Sequence, residues 1–526
     1  MPSFETNELS INSYDTGHMT LIDSLNNAAI YPHPVEQIEV IETHISWLIL
    51  TGNYAYKIKK PVDFGFLDFT TLAKRQHFCE EELRLNQRLA PDIYQKVIAI
   101  GGTPDTPTLN PHEGEEIIEY AVQMRQFNPE QRLDLLLQNQ RFEPIWIDML
   151  AEQIATFHSE IPIVAKDSPW GETETIWEVI SDNFLHITDS IEQLDDWHKV
   201  QKLSHFTAQQ FRKLTPLIEK RKAQGHVREC HGDLHLANIT LYKDELRLFD
   251  CIEFNLQFRW IDTISDLAFL LMDLEANGEF RWANRCLNRY MELSGDYQAL
   301  PLLNLYKAYR SMVRAKVSVL GDMHDLVTLR RYLRLTEYYS RKPKPVLFLM
   351  HGISGSGKSH LSQQLVDQTD TIRIRSDVER KRLFRELSLK GTKLDMYGPQ
   401  MNAHTFNHLF DTSAELLRNG YSVVVDATFI RQRTRQSYID LANKLGIPIR
   451  IISCECEQKL IEARLKRRVT EGSDASDADI HVMQDQMQHQ QPLTEAEQGI
   501  TVTINTDDDD AISRLLEQLR IEEVIF

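Results

Sequence analysis

The segment that most constrains the fold is an eight-residue run in the last third of the chain, residues 352–359, with the sequence GISGSGKS. It matches the pattern GxxxxGK[ST] of a P-loop. An apolar run at 346–350 precedes it and a helical pattern begins near Lys358, so the sequence predicts a strand, a glycine-rich turn and a helix in succession. In that arrangement backbone N–H groups surround a phosphate at the start of the helix. The segment therefore predicts a phosphate-binding loop in an α/β domain.

The side chains of this loop have distinct predicted roles. Lys358 is expected to reach the β- and γ-phosphates of ATP and to act in catalysis, and the Ser359 hydroxyl is expected to bind Mg2+. The glycines make the tight curl of the backbone sterically possible. The residues predicted to bind nucleotide in this loop are Gly352, Ser354, Gly355, Ser356, Gly357, Lys358 and Ser359.

The chain after the loop supplies candidates for the acceptor side of a phosphoryl transfer. Residues 372–375 predict the next strand, and Asp377 and Arg380 follow it with DxxR spacing. Asp377 is placed to accept the proton of an acceptor hydroxyl, and Arg380 is placed to bind an anionic group. Ser376 or Asp377 could instead cap the helix that follows, and the two roles are compatible.

Two further elements are expected at this site. The apolar run at 421–425 ends at Asp426, as in a Walker B-like strand whose carboxylate holds the magnesium shell. A basic helix at 462–468 is expected to enter a mobile lid at 469–479, where Arg464 and Arg468 either clamp the transferring phosphoryl group or stay solvated. Further apolar runs at 449–454 and 501–504 alternate with helical segments, which predicts a parallel sheet.

A second phosphoryl-transfer pattern lies near the middle of the chain, in residues 231–238, HGDLHLAN. A catalytic loop of this kind needs a carboxylate that orients or deprotonates the acceptor hydroxyl, and an amide five residues later that holds magnesium. Asp233 and Asn238 have that spacing. A second metal-binding carboxylate is expected after the following hairpin, and Asp250 lies there.

An upstream strand and helix are expected to supply the nucleotide contacts of this second site. Residues 45–59 predict a hairpin, and Lys57 on its second strand is predicted to neutralise the α- and β-phosphates. Lys59 is the second choice, because both lysines point to one face of the strand. Residues 72–89 predict a helix on which Glu82 is the expected partner of the lysine.

Residues 38–338 resemble the aminoglycoside phosphotransferase family of small-molecule kinases. The resemblance rests on HGDLHLAN, on LAEQIATFH at 150–158 and on WIDTISDLA at 260–268. It implies a bilobal protein-kinase-like fold, Asp233 as the base, and Asn238 and Asp250 as magnesium ligands. Asp262 and Asp266 would support the lower lobe. Acceptors in that family also include sugars and amino alcohols, so the resemblance does not identify the acceptor.

Residues 341–526 resemble the P-loop kinases grouped with gluconate kinase, zeta-toxin-type kinases and polynucleotide 5'-kinases, on the strength of the P-loop, the DxxR element and the strand ending at Asp426. A basic, proline-containing segment at 340–345 precedes them. We therefore predict a leader (1–32), a phosphotransferase-like kinase domain (33–340) and a P-loop kinase domain (341–526). The expected fold class is α/β and α+β, with a parallel sheet in the last domain.

Composition narrows the possible partners. The 526 residues include 77 acidic and 58 basic side chains, a net charge of -19, which disfavours a nucleic-acid substrate unless one face is locally basic. Six scattered cysteines form neither a disulfide framework nor a CxxC zinc pattern. The sequence shows neither a secretory leader nor an apolar run of the roughly 18 residues that would span a bilayer, so we expect a cytoplasmic protein without membrane contact.

These patterns predict a bifunctional phosphotransferase with two ATP–Mg2+ sites, each acting on a hydroxyl of a small molecule. One alternative is a P-loop kinase regulated by a catalytically weak, ligand-sensing kinase-like domain. Another is a kinase acting on polynucleotide ends or on nucleotide sugars. The sequence does not predict the oligomeric state.

Overall fold

The computed structural model describes residues 16–191, 194–319, 325–341, 344–392, 394–471 and 478–522. Its strands are β1 (Glu39–Glu42), β2 (Ser46–Leu50), β3 (Tyr54–Lys59), β4 (Tyr94–Thr103), β5 (Thr106–Leu109), β6 (Ile117–Arg125), β7 (Val227–Glu229), β8 (Ile239–Tyr242), β9 (Glu245–Leu248), β10 (Trp260–Asp262), β11 (Leu347–His351), β12 (Thr371–Arg375), β13 (Ser422–Asp426), β14 (Ile449–Glu455) and β15 (Thr501–Asn505).

Its α-helices are α1 (Thr16–Leu25), α2 (Leu72–Asn86), α3 (Leu133–Gln138), α4 (Pro144–Glu160), α5 (Thr173–Ser190), α6 (Leu194–Ala223), α7 (Leu256–Arg259), α8 (Thr263–Ala276), α9 (Phe280–Ser294), α10 (Leu300–Val319), α11 (Leu326–Tyr339), α12 (Lys358–Gln368), α13 (Ser376–Leu389), α14 (Pro399–Arg418), α15 (Gln432–Leu445), α16 (Gln458–Glu471), α17 (Ile480–His489), α18 (Glu495–Gln498) and α19 (Ala511–Ile521). The first half of the expected leader, residues 1–15, lies outside the described residues.

The chain forms two compact units. Unit 1 contains Met1–Phe142, Glu160–Ile176 and Leu217–Asp266, and unit 2 contains Glu143–Ser159, Trp177–Pro216 and Leu267–Phe526. The helices α9 to α11 therefore belong to the same compact unit as the P-loop. The functional boundary near residue 341 stays a prediction.

Unit 1 is built around a six-stranded antiparallel sheet in the order β1-β2-β3-β6-β4-β5. The expected hairpin of β2 and β3 is confirmed, with Trp47 opposite Ile58 and Leu48 opposite Lys57. The sequence also predicts a pair of strands at 96–125 around a Gly/Pro-rich turn, and this number is wrong. Three strands lie there, because the chain turns back at once and Thr106–Leu109 pairs with the end of β4.

The two faces of this sheet carry different side chains because successive residues of a strand point to opposite sides. On one face Tyr56 and Ile58 pack with Trp47 and Ile98 beneath α1. On the other, Ala55 packs with Cys79 of α2. Lys57 and Lys59 alternate with Tyr56 and Ile58 along β3, so both lysines lie on the side of the sheet that α2 covers.

Unit 2 contains a five-stranded parallel sheet in the order β12-β13-β11-β14-β15, which confirms the parallel sheet expected from the sequence. All residues of β11 are buried, as expected for a strand covered by helices on both faces. Phe348 and Met350 pack against Leu361 of α12 and Leu515 of α19. The carboxyl ends of β11, β12 and β13 thus place the P-loop, Asp377 and Asp426 at one edge of the sheet. Within the described residues, no helix is both long and apolar enough to cross a membrane.

Candidate functional site

The P-loop of unit 2 adopts the conformation that its glycines were expected to allow. Gly352, Gly355 and Gly357 have φ angles of 137°, 85° and 88°, in the region that side chains rarely adopt. A Cβ atom on Gly357 would also lie 2.7 Å from the Thr506 Oγ1 atom. The helix α12 begins at Lys358, directly after this turn. The backbone N–H groups at the start of α12 are therefore arranged as an anion-binding end of a helix.

Lys358 is held inside the loop rather than extended into solvent. It is 7% exposed, and its Nζ donates to the Ile353 carbonyl over 2.7 Å. Burial lowers the pKa of Lys358 below its ordinary value, opposed in part by the Asp426 carboxylate. A buried cation with one backbone acceptor is poised to gain from an incoming phosphate.

A cavity of about 1630 Å³ opens in front of the P-loop. The predicted residues that line it are Ser354, Gly355, Gly357, Lys358, Ser359, Asp377, Arg380, Asp426, Arg464 and Arg468. Gly352 and Ser356 belong to the loop but do not line the cavity. The structure thus brings together ten of the residues that the sequence placed in one site.

Asp377 lies in the first turn of α13, which starts at Ser376. The residue in the capping position is Arg375, and it makes no side-chain cap hydrogen bond, so the capping role considered for Ser376 and Asp377 is wrong. Arg380, one turn later, is 8% exposed and donates through Nη1 to Asn402 Oδ1 over 2.5 Å. Its Nε is buried without a hydrogen-bond partner among the described residues, and it lies at the cavity wall, where an anion could accept from it.

Asp426 ends β13 and is 5% exposed. Its Oδ2 accepts a hydrogen bond from Ser362 Oγ over 3.4 Å, and Arg375 Nε lies 3.7 Å from the same oxygen. The hydroxyl of Ser359 and the carboxylate of Asp426 are hard oxygen donors on one cavity wall, so the donor set fits Mg2+.

Several cavity residues were not predicted. Arg431 precedes α15, Arg433 lies in the first turn of α15, and Arg467 comes from α16. Gln486 of α17 accepts the Ser354 N–H over 2.7 Å. Isolated arginines and a glutamine carry no motif that separates them from surface residues, so sequence reasoning had no signal for them.

The expected clamp and lid are only partly described. Arg464 donates to the Thr506 carbonyl over 3.3 Å and lies 3.3 Å from Asp507, so ion pairing holds it at the cavity rim. Arg468 lines the cavity. The predicted lid at 469–479 lies largely outside the described residues, since the structure leaves out 472–477.

Unit 1 brings the second set of predicted residues together. Lys57 Nζ lies 2.8 Å from Glu82 Oε1 and 2.7 Å from Asp250 Oδ1. Burial opposes its charge, yet the carboxylates of Asp250, Glu82 and Glu253 raise the pKa of Lys57 well above its ordinary value. Lys57 is therefore a fixed cation in contact with both the predicted helix partner and the predicted metal ligand.

Lys59 forms a second ion-pair centre behind Lys57. Its Nζ lies 2.7 Å from Glu82 Oε2 and also pairs with Glu253, and both Lys59 and Glu82 are fully buried. Although burial opposes the negative charge, the two lysines lower the pKa of the Glu82 carboxyl, whereas burial raises the pKa of Glu253. Glu253 was not predicted, because a single glutamate three residues after Asp250 belongs to no motif that would mark it.

The loop at 231–238 is held by buried hydrogen bonds. The backbone N–H groups of His231 and Gly232 donate to the two carboxylate oxygens of Asp266 over 3.0 and 2.9 Å. Asn238 Nδ2 donates to Asp233 Oδ2 over 2.9 Å and to the Asp233 carbonyl over 3.0 Å. The predicted base and the predicted metal amide therefore contact each other directly.

Asp250 follows the β8–β9 hairpin in a left-handed conformation, with φ of 63°. Its side chain is 45% exposed, and its N–H donates to the Tyr94 hydroxyl over 3.3 Å. The Phe249 N–H donates to the Asn238 carbonyl over 2.9 Å, which ties the segment carrying Asp250 to the loop carrying Asn238. An amide oxygen and an exposed carboxylate on adjoining segments are a donor set that suits Mg2+.

Part of the chain is similar to a known protein family. Residues 347–493 match the sequence model of the AAA domain family, and the match spans the P-loop, Asp377, Arg380 and Asp426. This part of the chain is similar to AAA domains. The match supports the P-loop part of the expectation.

The chain is also 28% identical, over 462 residues, to uncharacterized proteins of Mycobacterium tuberculosis and Mycobacterium bovis. That likeness covers 86% of this chain and 91% of the relatives, so it extends well beyond the segment 347–493.

Three kinases are among the solved structures with detectable likeness. The ethanolamine kinase of Plasmodium vivax is 12% identical and covers 58% of this chain and 81% of its own, with a TM-score of 0.36. A gluconokinase of Sinorhizobium meliloti is 15% identical over 34% of this chain and 98% of its own, with a TM-score of 0.26. The APS kinase of Mycobacterium tuberculosis is 18% identical over 34% and 99%, with a TM-score of 0.27. Likenesses this low do not establish a shared activity.

Proposed function

We propose that the chain is a bifunctional ATP-dependent phosphotransferase, in which each site transfers the γ-phosphoryl group of ATP to a hydroxyl of a small-molecule acceptor. One observation carries the proposal: Lys358, Asp377, Arg380 and Asp426 line a single cavity in front of the P-loop. The contacts among Lys57, Glu82 and Asp250 extend the proposal to the second site.

In the P-loop site each residue has a defined task. The backbone N–H groups of the loop and the Lys358 ammonium bind the β- and γ-phosphates. Ser359 and Asp426 would hold Mg2+, which would neutralise charge on the phosphates. Asp377 accepts the proton of the attacking hydroxyl, and Arg380 orients the acceptor through an anionic group.

In the kinase-like site Lys57 binds the α- and β-phosphates while Glu82 fixes its position. Asp233 orients the acceptor hydroxyl and takes its proton. Asn238 and Asp250 are the residues that would hold Mg2+. The hydrogen bond between Asn238 and Asp233 would keep the base aligned with the metal-binding amide.

The P-loop cavity offers a binding point for a negatively charged group of the acceptor. Its wall includes Lys358 and seven arginines, Arg375, Arg380, Arg431, Arg433, Arg464, Arg467 and Arg468, and also seven aspartates, Asp377, Asp426, Asp479, Asp485, Asp507, Asp508 and Asp509. These charges nearly balance, so the argument for an anion rests on Arg380, whose buried Nε has no hydrogen-bond partner among the described residues. A polynucleotide end is a second candidate acceptor, because its phosphates would supply such an anion.

A phosphorylation screen tests the proposal. The full chain, Asp233→Asn and Lys358→Ala are each incubated with radiolabelled ATP and a metabolite pool. We expect one class of labelled product to vanish in each variant. If neither variant loses a product that the wild type makes, the two-kinase proposal is wrong. If Asp233→Asn loses none and Lys358→Ala loses all, unit 1 senses a ligand instead of catalysing a transfer.

A second arm separates the two acceptor classes. The same proteins are given 5'-hydroxyl oligonucleotides at two salt concentrations. A polynucleotide acceptor predicts labelled oligonucleotide whose yield falls steeply with salt, because binding several phosphates releases counterions. An anionic small-molecule acceptor predicts unlabelled oligonucleotide and a labelled metabolite.

A further inference from the structure

The helix α9 packs against β12, the outer strand of the parallel sheet, within unit 2. Asn288 Oδ1 accepts the Arg373 N–H over 2.7 Å, and Asn288 Nδ2 donates to the Thr371 carbonyl over 3.0 Å. Asn284 Nδ2 donates to the carbonyls of Val366 and Thr369 over 2.8 and 2.7 Å. A helix outside the matched AAA segment thus forms part of the environment of β12.

Glu292, one turn after Asn288, is the charged residue of this contact. It is 5% exposed, and its Oε1 accepts from Arg373 Nε and Nη2 over 2.9 and 2.6 Å. Arg373 in turn donates to the Ser359 carbonyl over 3.2 Å and to Gln363 Oε1 over 2.6 Å. Glu292 therefore reaches the first turn of the P-loop helix through a single arginine.

The other carboxylate oxygen of Glu292 faces a second arginine. Arg375 Nη1 lies 3.7 Å from Glu292 Oε2, while Arg375 Nε lies 3.7 Å from Asp426 Oδ2. Arg289 Nη1 is 3.8 Å from Glu292 Oε2 as well. Arg375 thus stands between Glu292 and the carboxylate that fits Mg2+. A cation bound closely by Asp426 would compete with a metal ion for the same oxygens.

We propose that Glu292 is a positioning residue of the P-loop site, which holds Arg373 against α12 and shares the charge of Arg375, so that Asp426 keeps its affinity for Mg2+. The inference rests on the nucleotide site put forward under Proposed function. It adds a residue that lies outside the matched segment 347–493.

Calorimetric binding of a non-hydrolysable ATP analogue to the full chain, across a Mg2+ series, tests this role. The measured quantity is the Mg2+ concentration at which the affinity for the ATP analogue reaches half of its full increase. We expect Glu292→Gln to raise this concentration by about fivefold or more, which is in the usual range of coupling between sites. We expect Glu292→Gln/Arg375→Gln to return it towards the wild-type value. Asn284→Ala is the matched control, because it removes contacts of α9 without touching either arginine.

The outcomes separate the two proposals. A wild-type chain that shows no Mg2+-dependent binding refutes the nucleotide site itself. An unchanged Mg2+ requirement in Glu292→Gln, or an equal change in Asn284→Ala, refutes the positioning role and leaves α9 as a packing element. If Glu292→Gln does not fold, Arg375→Gln alone decides: we expect it to lower the Mg2+ requirement, and an unchanged value overturns the inference.

Discussion

Glu82→Gln should destabilise unit 1 far more than its small change in shape suggests. The carboxylate is fully buried and pairs with both Lys57 and Lys59 at 2.8 and 2.7 Å. Removal of one partner from a buried ion pair typically costs 3–5 kcal/mol, because the remaining charge stays desolvated. Each lysine keeps one other carboxylate, Asp250 or Glu253, so we expect roughly 2–3 kcal/mol.

Urea unfolding of the full chain, followed by hydrogen exchange of peptides from α2 and β3, measures this loss in the affected unit. Glu80→Gln is the matched control, since Glu80 lies on the same helix but is exposed and bonds only to Gln76 in the described contacts. We expect the control to change stability by less than about 0.5 kcal/mol. Equal effects of the two substitutions would refute the argument from buried charge.

The ion pairs of Glu82 with Lys57 and Lys59 also make the stability of the chain depend on pH. The pKa of Glu82 in the folded chain is lowered below its ordinary 4.5, so its contribution to stability is present above that pH and is lost as the pH falls below it. Glu82→Gln should therefore flatten the acid side of the stability curve. A variant that loses stability below pH 4.5 as steeply as the wild type would contradict this assignment.

Three further predictions concern unit 2. Gly357→Ala should lower the free energy of unfolding by more than the roughly 1–2 kcal/mol that a left-handed alanine costs, because its Cβ would clash with Thr506. Gly446 is also left-handed but has open space around it, so Gly446→Ala should cost only the backbone strain in the same unfolding assay. Burial lowers the pKa of His351 to about 4, so folding disfavours its protonation. The free energy of unfolding should therefore fall by up to roughly 3 kcal/mol as the pH drops from 6.5 to 4. His351→Asn should remove that loss in thermal melts, and a variant whose stability falls with pH as steeply as the wild type would argue against this role. Arg380→Gln should raise the acceptor KM by about tenfold, the effect of a lost charged hydrogen bond, with ATP affinity unchanged; a matching loss of ATP affinity would place Arg380 on the nucleotide side.

The sequence predicted those parts of the fold where pattern and packing agree. The apolar runs of β11, β13 and β14 are found as expected, because strands covered on both faces are largely apolar. The run at 501–504 forms β15, in which buried and more exposed residues alternate. The hairpin of β2 and β3 and the helix that begins at Leu72 were also predicted from the sequence. The short strand β1 was not, since all four of its residues are exposed and carry no alternation.

The candidate sites divide in the same way. Gly352 to Ser359 in one loop, and Asp233 and Asn238 in another, have fixed spacing, because each short loop must present its own residues together. Glu253 and Glu292 act across distances in sequence that only the folded chain closes, and a single glutamate has no pattern to mark it. Their roles could be read only from the burial of their carboxylates against named cations.

The two asparagine side chains of α9 have a practical consequence for the P-loop segment. β12 is the outer strand of its sheet, and Asn288 meets one of its N–H and one of its C=O groups, as a neighbouring strand would. A fragment that begins at residue 341 lacks α9, so this strand edge would be exposed to solvent. Uncovered edges recruit strands from other molecules, so such a fragment should aggregate where the full chain stays dispersed.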